Sequence, residues 1–352
     1  MKRSSLLWLL LPVVAALCSF VFIQCTPKDA AAAQSSNDTT INPGKTDTNP
    51  SKEEVVATTL DTAAYNQRMI QITNGDSSGK WPVKAPYPLA GAILPFKRVI
   101  AYYGNLYSKN MGILGELPEA EMLAKLDGEV KKWEAADPAT PVQPALHYIA
   151  VTAQQSPGSG NKYRLRMPFA QIDKVLAMAQ KINAIVFVDI QVGLSNLESE
   201  VPALEQYLKM PNVHLGIDPE FSMKTGHAPG KVVGTFDAAD INYTINYLAK
   251  LVKDNNLPPK ILVVHRFTGP MVTNSNLIKP KPEVQVVMHM DGWGEAERKI
   301  GTYKHFIYPQ PVQFTGFKIF YKNDTKKVNR TEVMQPAQLL KLKPQPMYIQ
   351  YQ

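Results

Sequence analysis

Residues 169–190 read FAQIDKVLAMAQKINAIVFVDI, and two periodicities meet inside that stretch. Ile172, Val175, Leu176 and Ala179 recur at the spacing of one helical face, which predicts an amphipathic helix over Phe169 to Ile182. From Ala184 to Ile190 the side chains are apolar at nearly every position, the pattern of a strand covered on both faces. A helix handing the chain to a doubly covered strand is half of a repeating βα unit in a parallel sheet. The alternation continues on either side. Strand-like runs fall at KRVIAYY (97–103), PALHYIAVT (144–152), VHLGID (213–218), KILVVHR (260–266), VQVVMHM (284–290), FTGFKIFY (314–321) and PMYIQY (346–351), making eight with AIVFVDI (184–190). Helical patterns stand at 118–136 and 238–253, with a shorter candidate at 197–208. The crossover from Thr268 to Glu283 carries three prolines and is expected to hold no regular helix.

Eight strands with intervening helices predict an α/β chain built as one (β/α)8, TIM-type barrel over residues 61–352. A doubly wound open sheet is the competing arrangement, but YYGNLYSKNMG after the first strand lacks a Gly-rich phosphate turn. Because the chain ends on the eighth strand, the segment Leu60 to Ile72 is expected to pack across the gap where a last helix would stand.

Ahead of the barrel the composition changes. Lys2 and Arg3 precede an apolar run from Leu6 to Ile23, the layout of a secretory signal over residues 1–24, with a membrane-spanning helix as the alternative. Residues 25–60 begin TPKDAAAAQSSNDTT after Cys25 and have the makeup of a disordered tether. The only cysteines are Cys18 and Cys25, so disulfide scaffolds, thiolate metal sites and cysteine nucleophiles are excluded from the barrel. The net charge of +8 is uneven: residues 279–352 hold 12 basic against 6 acidic side chains, including Lys318, Lys322, Lys326, Lys327 and Arg330. That stretch could face an anionic glycan or lipid surface. The modest excess and the export signal disfavour nucleic acid as a partner, and no cofactor motif is evident.

A barrel gathers its active residues at the C-terminal ends of its strands. Tyr102 and Tyr103 end the first strand, Asp189 and Gln191 the third, Asp218 and Glu220 the fourth, and His265 and Arg266 the fifth. His289 and Asp291, with Trp293 beyond, end the sixth, Lys318 and Tyr321 the seventh, and Gln350 the eighth. His147, early in the second strand, reads as a core histidine. The sharpest signal is LGIDPEF, 215–221. Strand side chains alternate, so Asp218 and Glu220 point the same way, with Pro219 stiffening the backbone between them. Two like carboxylates held close raise one pKa, leaving a protonated acid beside an ionised partner. That is the equipment of glycoside hydrolysis, in which one carboxylic acid protonates the leaving oxygen and another carboxylate stabilises or attacks the developing cationic centre. Tyr102, Tyr103, Gln191, His265, Arg266, Trp293, Lys318 and Tyr321 would then line the substrate site, with aromatic faces against sugar rings.

The Asp-x-Glu pair ending the fourth strand resembles that of the chitinase family and of barrel-type lysozymes, which implies Glu220 as the acid, Asp218 as its modulator and Asp189 and Asp291 as supporting carboxylates. The run of aspartates that leads to the glutamate in chitinases is absent, since VHLGI precedes Asp218. The chain as a whole, with AYYGN, DIQVG, GIDPEF, VVHRFT and TGFKIFY in order, resembles a family of exported bacterial lipoproteins. That resemblance implies the barrel and an envelope location, with Cys25 acylated and inserted in a bilayer, and assigns no chemistry. Two other readings compete with a polysaccharide hydrolase. One is a metal-dependent hydrolase of phosphate esters using Asp189, Asp218, Glu220, His265, His289 and Asp291, with Arg266 and Lys318 on the phosphate. The other is a carbohydrate-binding barrel without turnover.

Overall fold

A computed structural model describes residues 59–326 and 332–352. The signal segment, Cys25, nearly all of the tether, and Lys327 and Arg330 lie outside the described residues. The eight expected strands are β1 (Arg98–Gly104), β2 (Val142–Ala153), β3 (Ile185–Ile190), β4 (Val213–Ile217), β5 (Lys260–Arg266), β6 (Val284–Met290), β7 (Phe314–Ile319) and β8 (Tyr348–Tyr351). Each pairs in parallel with its neighbours in sequence. The sheet closes because β8 also pairs with β1, in register from Val99↔Tyr348 to Tyr102↔Tyr351. That pairing excludes the open sheet and establishes a (β/α)8 barrel.

The helices form where the periodicity predicts. They are α1 (Thr62–Thr73), α2 (Glu119–Ala136), α3 (Phe169–Gln180), α4 (Ala238–Asp254) and α5 (Ala296–Thr302), the last outside the predicted set. Helix α4 starts at a capping box, Asp237 and Asp240 each accepting a backbone N–H, and buries Ile241, Ile245, Leu248 and Val252. The 197–208 segment is broken into turns at Leu197–Glu200, Pro202–Leu204 and Glu205–Leu208, because Pro202 cannot donate a helical hydrogen bond. Between β5 and β6 only short 3-10 turns and the two-residue strand Val272–Thr273 occur, as three prolines require.

Strand alternation divides the core in two. Leu146, Val188, Ile217, Val264, Met288 and Ile349 face outward and pack with the helices, whereas Val99, Ala101, Ala145, Phe187, Val263 and Val287 face inward. The α1 helix does not fill the gap after β8. Its Tyr65, Met69 and Ile72 belong to the inward cluster, and its hydrogen bonds reach the segments that lead into β8 and β2. Gln345 N donates to Ile72 O at 2.7 Å, and Arg68 Nη2 to Thr140 Oγ1 at 2.8 Å. The helix therefore plugs the N-terminal end of the barrel. Its i, i+4, i+7 stripe is wide enough for that circular opening, and each buried side chain contributes about 1.5–3 kcal/mol.

Candidate active site

Above the apolar floor the inward side chains turn polar. Tyr103, His147, Asp189, Asp218, His265, His289, Lys318, Tyr348 and Gln350 are all buried, and Asp291 keeps 8% of its side chain exposed. Two glycines make room for them. A Cβ on Gly216 would lie 2.2 Å from Asp189 Oδ1 and 2.4 Å from His147 Nε2, and one on Gly316 would lie 2.6 Å from His289 Nδ1. Any larger residue at either position would displace a polar group.

The cluster is organised around two carboxylates. Tyr103 donates its hydroxyl to Asp189 Oδ2 at 3.0 Å, while His147 Nε2 and His265 Nε2 stand 3.4 and 3.5 Å from Asp189 Oδ1. His265 Nδ1 is 2.7 Å from Asp291 Oδ2, and Lys318 Nζ is 2.9 Å from Asp291 Oδ1. The Lys318 ammonium also sits 4.0 Å from the centre of the Tyr103 ring. Burial opposes every one of these charges, and the pairing offsets it. Against burial, His265 and His147 hold the Asp189 carboxyl well below the usual range. Lys318 and His265 do the same for Asp291. In return Asp189 and Asp291 overcome burial and push the His265 imidazole up to about 10. His147 and His289 have no such surplus of anions, and burial holds both neutral, His147 pushed down to about 4.

The Asp218–Glu220 pair sits at the rim and differs from the expected pleat. Strand β4 ends at Ile217, and Pro219–Phe221 form a 3-10 turn capped by Asp218, whose Oδ1 accepts the Glu220 N–H at 3.0 Å. Proline's fixed φ favours that turn over continued extension. The two carboxyls are thus brought together by a side-chain cap, not by alternation. Asp218 Oδ2 faces the Gln191 amide at 3.5 Å. Burial, then the charges of Asp291 and Asp189, push Asp218 up to about 7. Burial, Asp218 and Asp291 push the half-buried Glu220 up to about 8, despite the opposing charges of Lys318 and His265. At neutral pH the rim therefore keeps a proton on Glu220 while Asp189 and Asp291 are ionised.

No family model matches this chain, and no curated protein matches it. Among solved structures it is similar to a cellulase, Cel5C_n, at 13% identity and a TM-score of 0.35, over 63% of this chain and 65% of that one. A Burkholderia cenocepacia dihydropteroate synthase complexed with 7,8-dihydropteroate gives 10% identity and a TM-score of 0.34, over 76% of this chain and 90% of that one. Thermotoga maritima Cel5A, a mutant form with cellobiose, gives 9% and 0.33, over 73% and 88%. Likeness of this degree carries no argument; the barrel assignment rests on the closed strand order.

Three of the expected site residues lie outside the barrel wall. Tyr102 faces the helices, its hydroxyl 3.0 Å from that of Tyr321, and both rings pack on Tyr351. Arg266 turns its guanidinium onto the carbonyls of Thr268, Gly269 and Val272, bracing the loop after β5. In each strand pair the inward neighbour, Tyr103 or His265, joins the site instead. Gln191, Lys318, Asp189, Asp218 and Asp291 are brought together as described. Trp293 is half-buried, with the Arg298 guanidinium 5.2 Å from its ring centre.

Sequence reasoning missed His147, and His289, Tyr348 and Gln350 were left in the background. His147 is no bystander in the core: its Nδ1 is 2.5 Å from the Tyr348 hydroxyl and its Nε2 faces Asp189. The available signal was parity, since His147 and Tyr103 are paired in register across β1 and β2 and point to the same side. Two overlapping groups of metal-ligand side chains arise among the described residues: His147, Asp189 and His265; and His265, His289 and Asp291.

Proposed function

We propose that this protein hydrolyses glycosidic bonds of a cell-wall or environmental polysaccharide at the barrel mouth, held at the envelope by a lipid on Cys25. The observation that carries the reading is the rim pair. Glu220 keeps its proton to about pH 8 because it is enclosed beside Asp218 and Asp291, and it has a partly exposed flank. Glu220 would pass that proton to the glycosidic oxygen as the bond to the anomeric carbon breaks, and water would add to that carbon and return a proton to the Glu220 carboxylate. Asp218 holds the turn that presents Glu220 and shares the proton equilibrium of the pair. Asp291, kept ionised between His265 and Lys318, supports the cationic character that develops on the sugar.

The phosphate-ester reading loses support, because Arg266 is engaged with backbone carbonyls behind the wall and Lys318 is held by Asp291. The test is a panel of chromogenic glycosides and cell-wall glycan with the wild type and Glu220→Gln. Loss of about 100–10,000-fold in kcat with little change in KM is expected for removal of a general acid. Equal turnover by both proteins, or none by the wild type, overturns the reading. For the anchor, Cys25→Ala should move the protein from the membrane to the soluble fraction; retention in the membrane refutes it.

A further inference from the structure

We propose that the barrel binds a first-row divalent metal ion, Zn2+ or a close relative, through His147 Nε2, Asp189 Oδ1 and His265 Nε2. The proposal is independent of the glycosidic chemistry. These three atoms lie within 4.8 Å of one another, on side chains that are entirely buried. None of them has a hydrogen-bond partner. Such orphans are rare in folded proteins and each calls for an explanation. Simple pairing is a poor one. The same imidazole of His265 makes a true hydrogen bond to a carboxylate on its other side, 2.7 Å from Asp291 Oδ2, whereas the contacts to Asp189 Oδ1 are 3.4 Å from His147 and 3.5 Å from His265. Donors at about 2.0–2.1 Å around a tetrahedral Zn2+ stand about 3.3–3.4 Å apart, close to both values.

Each ligand also has the outer partner that a metal site uses to fix tautomer and orientation. His265 Nδ1 donates to Asp291, so that an ion at Nε2 takes the place of the second imidazolium proton, His147 Nδ1 lies 2.5 Å from the Tyr348 hydroxyl, and Asp189 Oδ2 accepts from Tyr103. For His147 Nε2 to present its lone pair, the Tyr348 oxygen must accept from Nδ1–H and its hydroxyl must donate to the Gln350 side-chain oxygen. Turning over the Gln350 amide allows that and satisfies its oxygen, which otherwise has no partner. Gly216 completes the case, since any Cβ there would lie 2.2 and 2.4 Å from two of the three ligand atoms. The second group, His265 with His289 and Asp291, fits less well, because His265 Nδ1 and Asp291 are already bonded to each other and Lys318 holds the remaining carboxylate oxygen. Two imidazoles and one carboxylate suit Zn2+, Fe2+ or Co2+ better than Mg2+ or Ca2+, and leave a coordination position for water or another ligand.

The test uses the full chain, stripped by dialysis against a chelator and titrated with Zn2+ in competition with a chromogenic chelator, with bound metal counted by elemental analysis. One ion per chain and a rise in Tm on loading are expected. His147→Gln and Asp189→Asn should weaken binding by at least about 100-fold, and Tyr348→Phe, which removes only an outer partner, by about 10–100-fold. Glu220→Gln should keep full stoichiometry while losing hydrolysis, which separates this proposal from the catalytic one. Uptake below a tenth of an equivalent of Zn2+, Fe2+ and Co2+ by the wild type overturns the site. Unchanged affinity in His147→Gln and Asp189→Asn does the same. Should those variants not fold, unchanged affinity in Tyr348→Phe decides against it.

Discussion

The lower and upper halves of the barrel interior are lined by the same strands, yet they follow opposite rules. Below, Val99, Ala101, Ala145, Phe187, Val263 and Val287 meet the plug of Tyr65, Met69 and Ile72. Two residues further along, the same strands deliver Tyr103, His147, Asp189, His265 and His289, with Asp291 just beyond β6. The lower half gains free energy by excluding water from apolar surface. The upper half gives up part of that gain to hold charges that only their mutual pairing makes tolerable. Stability and chemistry are therefore separated along the barrel axis, and substitutions on the two floors should have different signatures.

The largest effect is expected below. Phe187→Ala empties the middle of the lower layer, beside His147, His214 and Tyr348. It should cost about 3–5 kcal/mol in denaturant unfolding; a loss under about 1 kcal/mol would mean that the floor does not carry the stability. Lys318→Met tests the upper half. Removing one member of a buried pair leaves Asp291 with only His265, so the loss should lie toward the lower end of about 3–5 kcal/mol. If the two halves obeyed the same rule, replacing this cation by an apolar side chain would instead stabilise the protein.

The third expectation concerns pH. The Glu220 carboxyl is pushed up to about 8, with Asp218 and Asp291 raising it and Lys318 and His265 opposing. Its protonated form is thus favoured in the native state far above the pH at which an unfolded glutamate ionises. The native-state advantage of the bound proton is fully present below the unfolded pKa and is lost as pH rises through about 8. The proposed hydrolysis should therefore fall up to about tenfold per pH unit above 8. Glu220→Gln, which mimics the neutral acid, should gain in Tm relative to the wild type over the same range. A Tm difference that does not vary with pH would break the assignment. The smallest effect belongs to the outer wall. Tyr102→Phe removes one hydroxyl contact to Tyr321 and should cost about 0.5–1.5 kcal/mol, leaving kcat unchanged; a large loss of turnover would mean that Tyr102 reaches the site after all.

Adjacent residues explain how much of the site could be read in advance. Tyr102 and Tyr103, or His265 and Arg266, are equally polar and equally close to a strand end. Alternation guarantees that one of each pair faces inward but does not say which, because that depends on where the strand pairs with its neighbours. Asp218 and Glu220 were found by their spacing, although a capped turn and not the pleat holds them together. His147 escaped notice because its flanks are apolar, and only parity with Tyr103 across the sheet reveals its direction. In the same way α1 was visible as a helix, while its place under the barrel depended on a circular opening that no local pattern describes.

Local periodicity was enough to set the strand count and the parallel sheet, because each of those follows from which faces must be buried, whereas closure into a barrel was decided by the pairing of β8 with β1. Tertiary structure alone decided which polar residues share the interior, through strand register and the two glycines that make space. It also decided which carboxyls are ionised, since Asp189, Asp218, Glu220 and Asp291 differ in protonation by their neighbours and not by their chemistry. Charge state inside a protein is a property of the assembled surroundings, and those surroundings come from six different strands.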